Sequence, residues 1–255
     1  MKHLLTATIC TLLLGQAAQG SNSEPPLPPW QSMEFEQRYL WVVARARVSL
    51  APAPDAEGLW RMQVDNSVAS NSETLILDID PGSGRSVTLT RLGKGRNQRS
   101  KEFSYRPGVV ERTRRSPSDS ISADPGDWPI RSHQTLTYPE SCAEQFLGSV
   151  YSLLLLAPGV LEGKQAASYC VHSDRNFYQV LLSPVEGASN QVAMEVEPLA
   201  GNRDKDDFGL FGLAAPIVLE YQQDGLTLQR VHGRAPAVGE TSLELLTATR
   251  REQGQ

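Results

Sequence analysis

Residues 142–170 read CAEQFLGSVYSLLLLAPGVLEGKQAASYC, and this stretch decides the predicted fold. Apolar side chains recur at i, i+3 and i+4 spacing from Ala143 to Ala157, the period of an α-helix with a buried face. Pro139 is a start signal and Pro158-Gly159 a stop signal. The spacing predicts a helix over 139–157 that is apolar on most of its circumference and therefore packs inside the protein.

Residues 1–20, MKHLLTATICTLLLGQAAQG, have the layout of a secretory signal peptide. Lys2 precedes an apolar core, and small residues surround a cleavage point near Gly20. We therefore expect a periplasmic protein. Cys10 lies inside the apolar core instead of at the cleavage point, which disfavours a lipid anchor. No later segment is long and apolar enough to span a membrane, so no transmembrane segment is expected in the mature chain.

Two cysteines, Cys142 and Cys170, remain once the signal peptide is removed. An even number in an oxidising compartment favours pairing, and we expect a Cys142–Cys170 disulfide. The alternative is two separate buried thiols. A zinc pair is disfavoured because no His or Cys stands at ligand spacing.

The rest of the chain alternates apolar and polar residues with the period of two that is typical of β-strands. The longest such run, 35–50, predicts one long strand. The fold class is mainly β (α+β): a curved antiparallel sheet or open half-barrel of about ten strands, with the helix packed in its concavity. A single domain over 34–249 would follow a proline-rich tether at 21–33 and precede a disordered tail at 250–255.

Four segments in this order resemble the pattern of a known family. They are RLGKGRNQRSKEFSYRPGVVERTRR at 91–115, FLGSVYSLLLL at 146–156, YCVHSDRNFYQVLLSPVEG at 169–187 and IVLEYQQDGLTLQRVHG at 217–233. Behind an exported start, they resemble an uncharacterised bacterial family of exported β proteins. That family is similar in architecture to the half-barrels of periplasmic lipoprotein carriers and envelope-stress sensors. The resemblance implies a fold and a compartment but no catalytic residues, since the family has no assigned activity.

Positive charge is concentrated in residues 91–115, which carry nine basic and two acidic residues, a net charge of +7 in a chain whose total is −5. Such asymmetry predicts a patch for an anionic polymer, a lipid head group or an envelope protein. The candidate residues are Arg96, Arg99, Lys101, Arg112, Arg114 and Arg115. The alternative is a hairpin that displays solvated arginines. Nucleic acid is not expected as a partner of an exported, acidic protein without a recognition motif.

A concave sheet around a helix also predicts a pocket for a lipid or another apolar ligand. Its candidate residues are Trp41, Trp60, Met62, Phe146, Tyr151 and Leu154. The alternative is that these side chains simply fill a core.

Enzyme motifs are absent from the sequence: there is no Gly-x-Ser-x-Gly, no His-Glu-x-x-His and no phosphate-binding glycine loop. His172-Ser173-Asp174 fits a hairpin turn better than a relay, because neighbours on a strand point to opposite faces. Residues 78–82 and 202–207 are similar to calcium loops but lack their glutamate, so we expect no metal and no cofactor. The predicted function is a non-enzymatic periplasmic binding or envelope-maintenance protein. A protein-interaction module using residues 91–115 and an envelope hydrolase are the alternatives.

Overall fold

The computed structural model describes residues 28–39, 42–95, 98–117, 124–200, 208–223, 226–235 and 238–251. The predicted signal peptide, Trp41 and Arg96 lie outside these residues. Fifteen strands account for most of the described chain, with one α-helix, α1 (Leu153–Gly163). The strands are β1 (Trp30–Tyr39), β2 (Val42–Pro52), β3 (Trp60–Val68), β4 (Asn71–Ile79), β5 (Ser86–Lys94), β6 (Arg99–Arg106), β7 (Val109–Arg115), β8 (Ile130–Thr137), β9 (Phe146–Ser149), β10 (Ala167–Ser173), β11 (Asn176–Pro184), β12 (Gln191–Ala200), β13 (Ala214–Tyr221), β14 (Leu228–Ala235) and β15 (Gly239–Arg250).

All fifteen strands belong to one sheet in the order β8-β7-β6-β5-β4-β3-β2-β1-β15-β14-β13-β12-β11-β10-β9. Neighbouring strands are antiparallel except β9 and β10, which are parallel. The sheet is open, with β8 and β9 at its two edges. The predicted mainly β, largely antiparallel fold is therefore confirmed, with more strands than the ten or so that were expected.

The predicted single strand over 35–50 is instead a hairpin of β1 and β2. Tyr39 pairs with Val42, and the antiparallel register continues to Ser32 opposite Ser49. Apolar alternation continues through such a hairpin, so periodicity alone could not separate the two strands.

The sheet also exceeds the predicted domain limits. Trp30 and Met33 of β1 are buried, and β15 ends at Arg250.

The predicted helix over 139–157 is wrong over residues 139–152. Residues 140–152 form two 3-10 turns that flank β9, and the α-helix begins only at Leu153. Gly148 has φ +81°, outside the helical region, and β9 pairs with β10. Pro158 lies within α1 instead of ending it, because burial of Ala157 and Val160 offsets the missing hydrogen bond.

The predicted disulfide between Cys142 and Cys170 is present, with the Cα atoms 5.4 Å apart. It joins the 3-10 turn before β9 to β10, so covalent and hydrogen-bond links hold the same two segments together. Both cysteines are buried in the hydrophobic core.

The sheet curls so that β9–β11 pack against the inner face of β5 and β6. The Ser86 hydroxyl of β5 lies 3.0 Å from the Ser152 hydroxyl and accepts a hydrogen bond from the Ser149 amide at 3.2 Å. An aromatic cluster fills the adjacent space; its members are Phe103, Tyr105, Tyr138, Phe146, His172 and Phe177. Apolar side chains from both halves of the sheet and from α1 form one continuous core.

Candidate functional site

A cleft of about 330 Å³ opens between the two facing halves of the sheet. One wall comes from the inner face of β3–β6, and the other from the 3-10 turn at Val150–Ser152, the end of β10 and residues 208–214. Leu75, Leu89, Phe103, Val150, Phe208 and Phe211 line its apolar part. Its size lies at the lower end of the roughly 300–1,000 Å³ range of ligand pockets.

The polar end of the cleft begins with an ion pair between neighbouring strands. The Arg91 Nε of β5 lies 2.6 Å from a Glu73 carboxylate oxygen of β4. Glu73 is also the register partner of Asn66 on β3. Strand alternation therefore brings these three polar side chains to one end of the inner face, beyond the apolar layer.

Asp174 places a carboxylate on the other wall of the cleft. It lies in the turn between β10 and β11. Lys101 Nζ on β6 lies 2.8 Å from its Oδ1, and Arg112 Nη2 on β7 also lies 2.8 Å from that atom. Burial tends to raise the pKa of Asp174, but the hydrogen bond and charge of Lys101, with those of Arg112, hold it at about 2. Burial lowers the pKa of Lys101 to about 8 despite the attraction of Asp174.

His172 is a buried histidine, 2% exposed, whose ring packs among aromatic side chains. Burial lowers its pKa to about 3, so the imidazole is neutral near pH 7. The Asp174 backbone bonds to the ring in a way that raises the pKa, as a carbonyl accepting the ring N–H does. Within the described part of the chain Nε2 has no partner, so that bond involves Nδ1. The neutral ring then carries its acceptor lone pair on Nε2.

Tyr151 connects both walls of the cleft through its hydroxyl. That oxygen accepts a hydrogen bond from the Phe211 amide at 3.0 Å and one from the Asn66 side-chain amide at 3.5 Å. Burial raises the pKa of Tyr151. The Asn66 carbonyl oxygen Oδ1 is buried and, among the residues that the structure describes, has no hydrogen-bond partner.

Of the six residues predicted to bind an apolar ligand, the structure places only Tyr151 in this cleft. Met62 and Leu154 are fully packed core residues, and Phe146 belongs to the aromatic cluster. Trp60 is partly buried beneath the Arg251 guanidinium, which lies 4.2 Å from its ring centroid. Trp41 falls outside the described residues. For Met62, Phe146 and Leu154 the alternative of a filled core holds.

The basic candidates that the structure describes, which exclude Arg96, do not form one exposed patch. Lys101 and Arg112 are buried against Asp174, so neither is available to a partner at the surface. Arg114 is exposed, and Arg99 is half-buried. Arg115 bonds to Glu102 and to the Trp128 carbonyl. Some basic side chains of these strands point into the protein and others point to solvent. The sequence did not predict this, because it does not show which face of each strand packs against the rest of the protein.

Sequence reasoning also missed the cleft-lining residues Asn66, Glu73, Arg91, His172 and Asp174 as a group. Alternation could have placed Arg91 and Lys101 on one face, since they are direct register partners. Nothing in the sequence indicates that the turn at Asp174 meets that face.

A larger groove, of about 890 Å³, lies on the opposite face of β1 and β13–β15. Its charged side chains are engaged in ion pairs: Glu36 pairs with Arg38, Arg234 with Glu240, and Glu244 with Arg230, which lies beside the groove. This groove is an open, ion-paired surface and is not the candidate site.

The described ranges contain no group of three His, Cys, Asp or Glu side chains arranged to hold a metal ion. They also contain no helix with the length and apolarity needed to cross a membrane.

Comparisons with known proteins give little further information. No known protein family matches the sequence, and no curated protein does. A porin-like protein from Bacteroides uniformis, known from its crystal structure, is similar at 9% identity and a TM-score of 0.26, over 89% of this chain and 99% of that one. A likeness at this level carries no inference about the site.

Proposed function

We propose that this protein is a non-enzymatic binding protein of the cell envelope that holds a small amphiphilic ligand in the cleft between the two halves of its sheet. The observation that carries the proposal is the composition of the cleft. Apolar side chains line it together with Asn66 and His172, whose buried atoms Oδ1 and Nε2 have no partner in the described chain. Buried polar atoms are nearly always satisfied, so a bound molecule is the natural partner here.

A binding role also fits the state of the charged groups. Glu73 is engaged by Arg91, and Asp174 by Lys101 and Arg112. His172 stays neutral near pH 7 because of its low pKa. A general acid or base needs a pKa near the working pH, and neither Asp174, with a pKa of about 2, nor His172, with a pKa of about 3, meets that need.

The Cys142–Cys170 disulfide supports an oxidising compartment, in agreement with the export signal predicted from residues 1–20. The ligand would then be a molecule of the envelope. Its apolar part would contact Leu75, Leu89 and Phe211, and its polar part would face Asn66 and His172.

The test is ligand uptake by the full chain, secreted and purified with its disulfide formed. We expect native mass spectrometry and calorimetry to show one molecule of a ten-carbon amphiphile bound per chain. Leu89→Trp, which fills the cleft, should weaken binding at least about tenfold. Val87→Trp is the matched control, because Val87 lies on the same strand and is exposed.

A second measurement uses the unaltered protein and therefore does not depend on whether Leu89→Trp folds. In the unaltered protein, ligand addition should shift the methyl NMR signals of Leu75, Leu89 and Val150, which line the cleft, and not those of exposed Leu246. Absence of uptake by any member of a ten-carbon series, with no such shift, would overturn the proposed function.

A further inference from the structure

We propose that the polar end of the cleft selects a ligand head that carries neutral hydroxyl groups, such as a glycerol or sugar head, over a carboxylate or phosphate head. This inference rests on the proposed function and specifies its ligand class. The hydrogen-bonding capacity and the ion pairs of the groups in and beside the cleft support it.

The unsatisfied atoms of the cleft are both acceptors. Asn66 Oδ1 is a carbonyl oxygen, and His172 Nε2 carries the lone pair of a neutral imidazole. A hydroxyl can donate to each of them, whereas a carboxylate or a phosphate dianion has only acceptors to offer. The buried acceptors therefore favour a head with at least two O–H groups.

One donor of the cleft is complementary to the same head. The Tyr151 oxygen already accepts from the Phe211 amide and from Asn66. Its own hydrogen is left to donate to a ligand oxygen. A hydroxyl both donates and accepts, so it can meet Tyr151 and Asn66 at the same time.

The cations beside the cleft are all engaged in ion pairs. Glu73, Asp174 and Arg91 line the cleft, and with Lys101 and Arg112 behind Asp174 the five groups have a net charge of +1 in which every cation is ion-paired. Arg91 is held by Glu73, at 2.6 Å. The other two cations, Lys101 and Arg112, do not line the cleft and are bound to Asp174. An incoming carboxylate would therefore find each of these cations already paired with a carboxylate of the protein.

The apolar part of the ligand is limited by the walls. Phe208 and Phe211 close the cleft on the side of β13, and Val150 closes it on the side of α1. A cavity of about 330 Å³ suits a medium-length chain better than a full phospholipid. The geometry fits a monoacylglycerol or a short-chain glycolipid.

The experiment compares heads on one chain length, using 1-monodecanoylglycerol, methyl decanoate, decanoate and decyl phosphate in calorimetric titrations with the full chain. We expect 1-monodecanoylglycerol to bind at least about tenfold tighter than each of the other three. Equal affinities would overturn this inference and leave the proposed function standing. Tighter binding of decanoate or decyl phosphate would overturn it in favour of the basic side chains. If none of the four binds, the proposed function fails, and this inference fails with it.

Two variants assign the preference to the named atoms. Asn66→Leu and His172→Phe should each bring 1-monodecanoylglycerol and methyl decanoate to within about threefold of one another. Gln63→Leu is the matched control on β3, since Gln63 lies on the opposite face of that strand and bonds to Asp65. It should retain the preference in full.

A direct measurement on the unaltered protein covers the case in which a variant misfolds. The ¹⁵N signal of His172 Nε2 should move in the direction of a hydrogen-bonded nitrogen when 1-monodecanoylglycerol is added, and stay in place with methyl decanoate. An unmoved signal with saturating 1-monodecanoylglycerol would overturn the assignment of His172 as an acceptor for the ligand head.

Discussion

Arg112 and Asp174 meet across the curled sheet, with Nε 2.9 Å and Nη2 2.8 Å from one carboxylate oxygen, although they are 62 positions apart in the chain. Lys101 Nζ lies 2.8 Å from the same oxygen. Arg112 is on β7 and Asp174 is in the turn after β10. One carboxylate therefore ties the N-terminal half of the sheet to the C-terminal half beside the cleft.

Removing that carboxylate should destabilise the protein strongly. Asp174→Asn leaves Lys101 and Arg112 buried without a counter-charge, and breaking a buried ion pair typically costs about 3–5 kcal/mol. We expect a loss of about 3 kcal/mol in the free energy of unfolding, measured by urea denaturation.

The matched control for this prediction is Glu240→Gln. Glu240 also pairs with an arginine, Arg234, but it is 85% exposed, so its loss should change the free energy by less than about 0.5 kcal/mol. Equal effects of the two substitutions would mean that the Asp174 ion pairs are solvated, contrary to their burial in the structure.

Stability should fall on mild acidification because of His172. Its pKa is about 3 when folded and 6.5 when unfolded, so between these values the unfolded chain binds a proton that the folded chain does not. The contribution of the neutral His172 to the free energy of unfolding is fully present above pH 6.5, and it is lost as the pH falls towards 3. At pH 5 the loss amounts to about 2 kcal/mol.

His172→Phe removes the titrating group and should flatten the dependence of unfolding free energy on pH between 6.5 and 5. Asp174 adds little in this window, because its pKa is held at about 2 and an unfolded aspartate is also ionised at pH 5 and above. His133→Gln, on the exposed face of β8, is the control. A slope that is unchanged in His172→Phe would place the acid sensitivity elsewhere.

Much of the sheet could be predicted from the sequence because its cause is local. Val48 pairs with Val64, and Val64 pairs with Leu75, so the alternation seen along each strand is repeated across the sheet. The pairing of Cys142 with Cys170 follows from their number and the expected compartment. The predicted helix began too early. Phe146, Leu147 and Val150 have helical spacing, but residues 146–149 form a strand that pairs with β10.

The cleft could not be predicted because it depends on contacts between distant segments. Asp174 belongs to a hairpin turn that looks solvated in sequence, and Lys101 belongs to a basic run that looks solvated as well. Burial of each is possible only because the other neutralises it. Such mutual dependence leaves no signal in either segment alone.

Loss of the disulfide should cost roughly 3–4 kcal/mol of unfolding free energy, because the bond closes a loop of 29 residues in the unfolded chain. The two cysteines are 28 positions apart. The double substitution Cys142→Ser, Cys170→Ser is the test, with urea denaturation of both proteins under non-reducing conditions. Adding a reductant should destabilise the unaltered protein and leave the double variant unchanged. If the double variant is as stable as the parent, the constraint on the unfolded chain is negligible.

Gly148 should be among the least replaceable glycines, because two constraints coincide there. Its φ of +81° is unfavourable for any other residue, and an added Cβ would lie 2.9 Å from the Ser86 Cβ and 3.3 Å from the Ser86 carbonyl oxygen. Gly58 has a similar φ of +78°, but a Cβ added there would meet nothing within 4 Å, so Gly58→Ala isolates the cost of the backbone conformation.

We expect Gly58→Ala to cost about 1 kcal/mol and Gly148→Ala about 3 kcal/mol of unfolding free energy, measured by urea denaturation, the difference being the steric overlap. Ser86 also holds the Ser149 amide and the Ser152 hydroxyl. Gly148→Ala should therefore displace β9 from β5 and weaken ligand uptake, whereas Gly58→Ala should leave uptake intact. Equal destabilisation by the two substitutions would show that β9 does not pack against Ser86 in solution.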